Sequence, residues 1–487
     1  MSAAGSAVAT DTLSRRLAEF AVTARDEGVP AGVAASVRDR VLDVLGLCLA
    51  AVPLDTSRAV LEYARSQGGA GTAHAVGLDE PVPAALAGLV NGTLAHSLDY
   101  DDTHLPSVLH PSAAVVPAGL AAAEASGSGG AATLAAIAAG LEVCVRLGMA
   151  GYDESAGNSV FFEHGQHATS ICGTVGGAVT AALLRGLDVD GIMHAIGVAA
   201  SMASGVIEAN RTGGTVKRLH CGWAAHAANT AADLVALGFT GPPTVLEGRF
   251  GFFQGFLRGE FDPAAVTGGL GERWAVPGIF FKPYPANHFT HTIVDAGVEL
   301  RRRGIAPADV ARAEIGVPAS VVRTVGEPIE RKREPATPYE AQFSGPYALA
   351  VGLFGGGGLG ASYADYQPDR FTDGERRRLM AVSSVVADDE CTAIFPHQFP
   401  AVVRVDTTAG ERVEVKVLHN RGGSAAPLTH EELRTKFRDN AATSATDGEA
   451  IALAAAVDDL LDGRTATELM ALLPAFGGDN AKGTQHG

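Results

Sequence analysis

The sequence predicts a mainly α fold, with a large helical domain and a smaller α/β domain set into the chain. Three observations carry this. Of 487 residues, 47% are hydrophobic but only 6% aromatic, and 60 are glycine. That composition, rich also in alanine, suits closely packed helices. Apolar residues recur at helical spacing from Leu13 to Leu237. Near 262–285 proline and aromatic residues rise in RWAVPGIFFKPYPANH, and β-branched runs follow. The expected division is a helical domain over 1–264, an α/β domain over 265–418 and a tail over 419–487.

Asp11 or Thr12 caps a first helix through Leu13, Leu17, Phe20 and Ala21. Pro30 opens a second, whose Val33, Val37, Val41, Val44 and Leu45 form one broad stripe. Further helices are expected over 82–96, 112–126, 131–148, 167–185, 189–205 and 221–237. Gly127, Gly186 and Gly238 stand where such runs stop. In the α/β part, 313–322 reads as strand and turn, and 401–419 as a hairpin turning at Ala409-Gly410. Helices are expected over 289–303, 345–354 and 373–388, and the tail is helical again from Thr429. GLFGGGGLGASY (352–363) lacks the Lys-Ser/Thr of a phosphate loop and reads as a flexible loop. PIERKREP (328–335) reads as a solvated mixed-charge run.

The formal charge of −17 opposes nucleic acid and anionic membrane surfaces, because the long-range field repels both. It leaves room for a local pocket that takes a small anion. Cys48, Cys144, Cys172, Cys221 and Cys391 are scattered, with no C-x-x-C pair. Zinc ribbons, cysteine-ligated iron–sulfur clusters and disulfide scaffolds therefore lack support. The N-terminal stretch shows no apolar core of a secretory signal. The most apolar helix candidate, 131–150, carries Glu142 and Arg146, which marks a core helix over a membrane span. A cytoplasmic protein is expected.

Chemistry concentrates in LDYDDTHLPSVLHPS (98–112) and KRLHCG (217–222), and ten of the fifteen histidines lie between His96 and His291. Acids, imidazoles and cations gathered in an apolar chain suggest a buried site for a small anionic substrate. Removing a proton beside a carboxylate needs a base of near-neutral pKa, which His supplies. The carbanion formed needs fixed positive charge, and Lys217 is placed to provide it. Loss of a β-hydroxyl needs a proton donor; Thr103, His110 and a protonated Asp all qualify.

Each candidate has a plainer reading. Asp99 also fits a helix-end brace. His104 reads as an exposed loop residue, and His194 and His226 as packing histidines inside helices. His110, just before Pro111-Ser112, falls at a loop–helix junction, and His167 falls at a similar one. Lys217 follows Gly213-Gly214, ahead of an alanine-rich helix. Lys282 is a second cation candidate. His288 and His291 start a helix without tight ligand spacing, so no metal site is assigned.

Several ordered segments resemble the MmgE/PrpD family, which includes 2-methylcitrate dehydratase and cis-aconitate decarboxylase. They are HSLDYDDTHLPSVLHPSAAVVPAGLAAAE, HATSICGTVGGAVTAALLRGLD, KRLHCGWAAHAA, GFTGPPTVLEGRFGF, FKPYPANHFTHTIVDA and EAQFSGPYALAVGLF. The resemblance spans about 10–450 of the chain. It implies a helical domain built from both ends of the chain, a smaller α/β lid domain, a homodimer and no cofactor. It also implies a cleft whose residues here are Asp99, Thr103, His110, His167 and Lys217, with Lys282 from the lid. The implied activity is that of a lyase on a small polycarboxylate: dehydration of a 2-methylcitrate-like acid first, with cis-aconitate decarboxylation, isomerisation or epimerisation as alternatives. Asp99 would orient an imidazole, His110 or His167 would move the proton, and Lys217, Thr103 and Lys282 would hold the substrate.

Some positions depart from the family pattern. The stretch from Thr103 to His110 is one residue longer than in the decarboxylases. GQHAT replaces GFHPT around His167, Asn287 stands where decarboxylases have His, and Gly345 interrupts an apolar-Pro-Tyr motif.

Overall fold

The computed structural model describes residues 11–155 and 157–476. They form two compact units, one made of the described residues up to Ile279 with those from Ala441 onward, the other Phe280–Asn440.

The first unit is helical. Its succession is α1 Leu13–Glu27, α2 Ala31–Ala51, α3 Asp55–Gln67, α4 Ala84–Ala95, α5 Ser112–Ser126 and α6 Gly130–Ala150. A two-residue hairpin (β1 Tyr152–Asp153, β2 Asn158–Ser159) leads to α7 Val160–Glu163, α8 Ala168–Leu184, α9 Val189–Met202, α10 Ala209–Thr212 and α11 Val216–Ala236. Thr12 caps α1 by accepting from the Arg15 amide at 3.2 Å. Gly127 ends α5 in the left-handed region at φ 67°, a conformation that costs glycine least.

Helix α8 is buried along its whole length, with α5, α6, α9 and α11 packed round it. Small residues allow this. Ala118, Ala178, Ala199, Ala225, Ala228 and Ala231 form one core seam. A Cβ added to Gly140 would lie 2.5 Å from the Gly176 carbonyl oxygen, and one added to Gly222 2.2 Å from that of Leu89. Gly222→Ala thus gains about 1 kcal/mol of helix propensity but overpacks the α4–α11 contact at a cost of about 1–3 kcal/mol. A lower melting temperature is expected by calorimetry. An unchanged or raised value would show that the helices separate freely.

Helix α6 is long and apolar enough to cross a membrane, yet 89% of its apolar window is buried inside the protein. Its two charges organise the chain that follows. Arg146 donates to the carbonyls of Val266, Gly268 and Arg273, and Glu142 accepts from the amides of Ala275 and Val276. Residues 265–279 are thereby tied to the first unit, and the second begins at Phe280, not at the composition change near 265. At the other end the second unit runs to Asn440, and α11 starts at Val216, five residues before the expected 221.

The second unit holds a four-stranded sheet in the order β4-β3-β5-β6, from β3 Val310–Val317, β4 Ser383–Ala387, β5 Ala401–Thr407 and β6 Arg412–Val417. β3 pairs parallel with β4 and antiparallel with β5, with Ile315 opposite both Val385 and Val403. The β5–β6 hairpin turns through Gly410 at φ 85°. Residues 383–387 were expected to be helical; the helix stops at Ala381, and the β-branched Val385-Val386 pair as a strand beside β3. The PIERKREP run is not a merely solvated segment. Lys332 donates to the carbonyls of Thr324 and Phe343, and Arg333 to that of Ser383.

Candidate active site

The loop from His96 to Pro111 joins α4 to α5 and gathers most of the chemistry. It is anchored by a buried ion pair. Arg40 of α2 donates to Asp102 at 2.5 Å, and to the carbonyls of Val276 and Ile279 at 3.0 and 2.9 Å. Asp102 also accepts from the Ser112 hydroxyl and, at 3.2 Å, from the Ser112 amide at the start of α5. Burial pushes the Asp102 carboxyl up, and Arg40 opposes that shift. Two non-glycine residues in the loop, Asp99 and Val108, have left-handed backbone at φ 52° and 53°, a strained conformation for β-branched Val108.

This anchoring aims the imidazoles. His110 donates from Nδ1 to the Asp102 carbonyl at 2.8 Å, with Thr103 Oγ1 at 3.3 Å. That bond fixes the protonated nitrogen and leaves Nε2 for chemistry. His96, at the C-terminal end of α4, donates from Nδ1 to Asp101 at 2.7 Å. The same Asp101 oxygen is 3.8 Å from His110 Nδ1.

His167 occupies the N-cap position of α8, and its Nδ1 is 2.9 Å from that of His220 on α11. The ring centroids form a continuous group: His96–His110 5.2 Å, His96–His167 5.6 Å, His167–His220 4.9 Å. Burial first, then His96, Lys217 and other neighbours, hold His167 well below its ordinary pKa, and the same causes bring His220 to about 4. These shifts favour the neutral imidazole at both positions. Lys217, in the first turn of α11, has its ammonium 3.7 Å from Asp99, and both side chains remain partly exposed.

The structure therefore gathers Asp99, Thr103, His110, His167 and Lys217 in the first unit. Lys282 belongs to the second unit and is buried. Asp99 stands beside the Lys217 cation, and Asp101 is at hydrogen-bond distance from the His96 imidazole. One expectation changes. His104 is not exposed: it bonds the Ser107 hydroxyl at 2.6 Å, its backbone pairs with Leu109, and burial lowers its pKa to about 4. His194 and His226 are the packing residues expected, bonded to the carbonyls of Gly241 and Ala85.

His96, Asp101, His220 and the Arg40–Asp102 pair were not selected as site residues from the sequence. A usable signal existed for His220, which lies three residues after Lys217 and so near it on one helix face. Among the described residues, His96, Asp101 and Cys221 bring donor atoms within 4.8 Å of one another. The His96–Asp101 hydrogen bond already occupies two of them, and burial pushes the Cys221 thiol well up. In this arrangement the three groups carry protons and hydrogen bonds.

Comparison with known proteins gives one family. The MmgE/PrpD N-terminal domain matches residues 15–264, and the MmgE/PrpD C-terminal domain matches 284–460. The chain is similar to the cis-aconitate decarboxylase of Mus musculus, at 28% identity over 84% of this chain and 83% of that protein. The Homo sapiens cis-aconitate decarboxylase is 30% identical over 74% of each. The Aspergillus terreus (strain NIH 2624 / FGSC A1156) cis-aconitate decarboxylase is 27% identical over 60% of each.

Proposed function

Because the chain belongs to the MmgE/PrpD family and is a lyase, we propose that it dehydrates a 2-methylcitrate-like di- or tricarboxylic acid. The carrying observation is the pair of unlike imidazole environments. Elimination of a β-hydroxyl requires a base for the proton α to a carboxylate and a separate acid for the departing oxygen. His167, buried and neutral beside His220, suits the base. His110, with Asp101 at 3.8 Å, suits the acid.

In this mechanism His167 takes the α-proton, the electron pair forms the C=C bond, and the hydroxyl leaves as water with the His110 proton. Lys217 binds a substrate carboxylate and stabilises the negative charge that develops beside it. Asp99 holds the ammonium in place, Thr103 donates to the substrate, and Lys282 is proposed as a second cation for it.

A second reading, decarboxylation of cis-aconitate, is favoured by the names of the three relatives. There the C–C bond breaks, CO₂ leaves, and one imidazolium protonates the carbanion. The distinguishing experiment is product identification by NMR with 2-methylcitrate and cis-aconitate. An unsaturated tricarboxylate from the first supports dehydration; itaconate from the second replaces it with decarboxylation.

The proposed proton transfers call for no metal or cofactor. Activity is expected to survive exhaustive dialysis against a chelator, and loss restored by a divalent cation would contradict this. Five free, buried thiols support a reducing, cytoplasmic setting. A homodimer is supported by the exposed row Val216, Leu219 and Trp223 along α11. Light scattering at a dimer mass, lost on Trp223→Glu, tests it.

A further inference from the structure

We propose that Asp101 is a positioning residue that divides the imidazole cluster into an acid side and a base side, through its hydrogen bond to His96 and its approach to His110. This rests on the proton-transfer reading above. The geometry is asymmetric in one respect that matters. A single carboxylate oxygen lies 2.7 Å from His96 Nδ1 and 3.8 Å from His110 Nδ1. On the other side, the His167 ring bonds a second imidazole, His220, at 2.9 Å.

Asp101 and His96 are almost wholly buried, with side-chain exposures of 0% and 1%, so solvent does little to screen the charge. His96 Nε2 is buried with no hydrogen-bond partner, and its ring stands between those of His110 and His167. His96 is thus held by one nitrogen only, and that nitrogen faces Asp101.

The remaining charges sharpen the division. Asp102, the neighbouring carboxylate, is paired with Arg40, while Asp101 lies against the His96 and His110 rings. Burial first, then His96, Lys217, His220 and His110, lower the proton affinity of His167. Cys221, the remaining titratable group of α11 beside Asp101, is held as the neutral thiol. An anion on the His96–His110 side and the Lys217 cation on the His167 side favour opposite protonation states. That is the arrangement an elimination needs in its resting enzyme: His110 protonated, His167 not.

Two measurements test this. In wild-type enzyme labelled with ¹⁵N-histidine, His110 is expected to stay protonated to higher pH than His167. The reverse order overturns the proposal whether or not the substrate has been identified, and needs no variant to fold. In Asp101→Asn, the alkaline limb of the kcat profile is expected to move down by about 1–3 pH units. kcat at neutral pH falls by about 10²-fold with KM little changed, and Asp101→Glu partly restores both. A purely structural Asp101 would lower activity without moving the limb, and that outcome overturns the proposal. Wild-type inactivity across all polycarboxylates, with the NMR order as expected, would reject the dehydratase reading while leaving the division of protonation intact.

Discussion

Replacing His167 with Asn lowers kcat by about 10²- to 10⁴-fold with little change in melting temperature. Asn keeps a polar atom near the position of Nδ1, so the bond to His220 is retained while the basic Nε2 is lost. Steady-state kinetics and calorimetry on the same preparation check this. A loss of less than tenfold would move the base elsewhere in the cluster, to His110 or His96. The pH dependence follows from the direction of the shift. Because His167 is held well below its ordinary value by burial, the acid limb of kcat/KM is expected below pH 6.5, the ordinary histidine value. The α8 N-terminus acts in the same sense, since its dipole disfavours imidazolium.

Replacing Arg40 with Met is expected to be the most damaging change to stability, by about 3–5 kcal/mol. Methionine fills much of the space but leaves Asp102 buried without its cation. Two tethers to the carbonyls of Val276 and Ile279 also go. The loop carrying Thr103 and His110 loses its anchor, so activity falls with stability. In a double-mutant cycle, Arg40→Met with Asp102→Leu is expected to cost less than the sum of the singles. Additivity would show that the pair does not act as a unit.

A related effect appears in stability against pH. His104 and His220 are folded with pKa values of about 4, below the unfolded value near 6.5. Their contribution is complete above about pH 6.5 and is lost as pH falls towards 4, because there the unfolded chain binds protons that the folded chain refuses. Melting temperatures that decline across that window are expected. A rise would mean these imidazoles are charged in the folded protein.

Much of the fold was legible because helical periodicity and glycine stops are local signals. Helices over 84–95, 112–126 and 168–184 lie within a residue or two of the expected ranges. The signals failed where long-range contacts decide. Residues 383–387 read as helix until β3 supplies a partner strand. The break near 265 moves to 279 because Arg146 and Glu142, more than a hundred residues earlier, bind the intervening backbone.

The site divides in the same way. His110, His167 and Lys217 were legible as polar residues at helix junctions. The pairing of Asp101 with His96 was not, since LDYDD offers three carboxylates in four positions and nothing local marks the one that meets His96. Arg40 gave no local sign of its role; it lies in an apolar helix, 62 residues from Asp102.

Proton NMR in D₂O, comparing wild-type enzyme with His167→Asn on 2-methylcitrate and cis-aconitate, reads this chemistry directly. Proton transfer at carbon by this cluster predicts olefinic product, or deuterium beside a carboxylate, with wild type, and a loss of either by about 10²-fold or more in the variant. Turnover that proceeds equally in both, or turnover with no bond to hydrogen made or broken at a carbon beside a carboxylate, would contradict it.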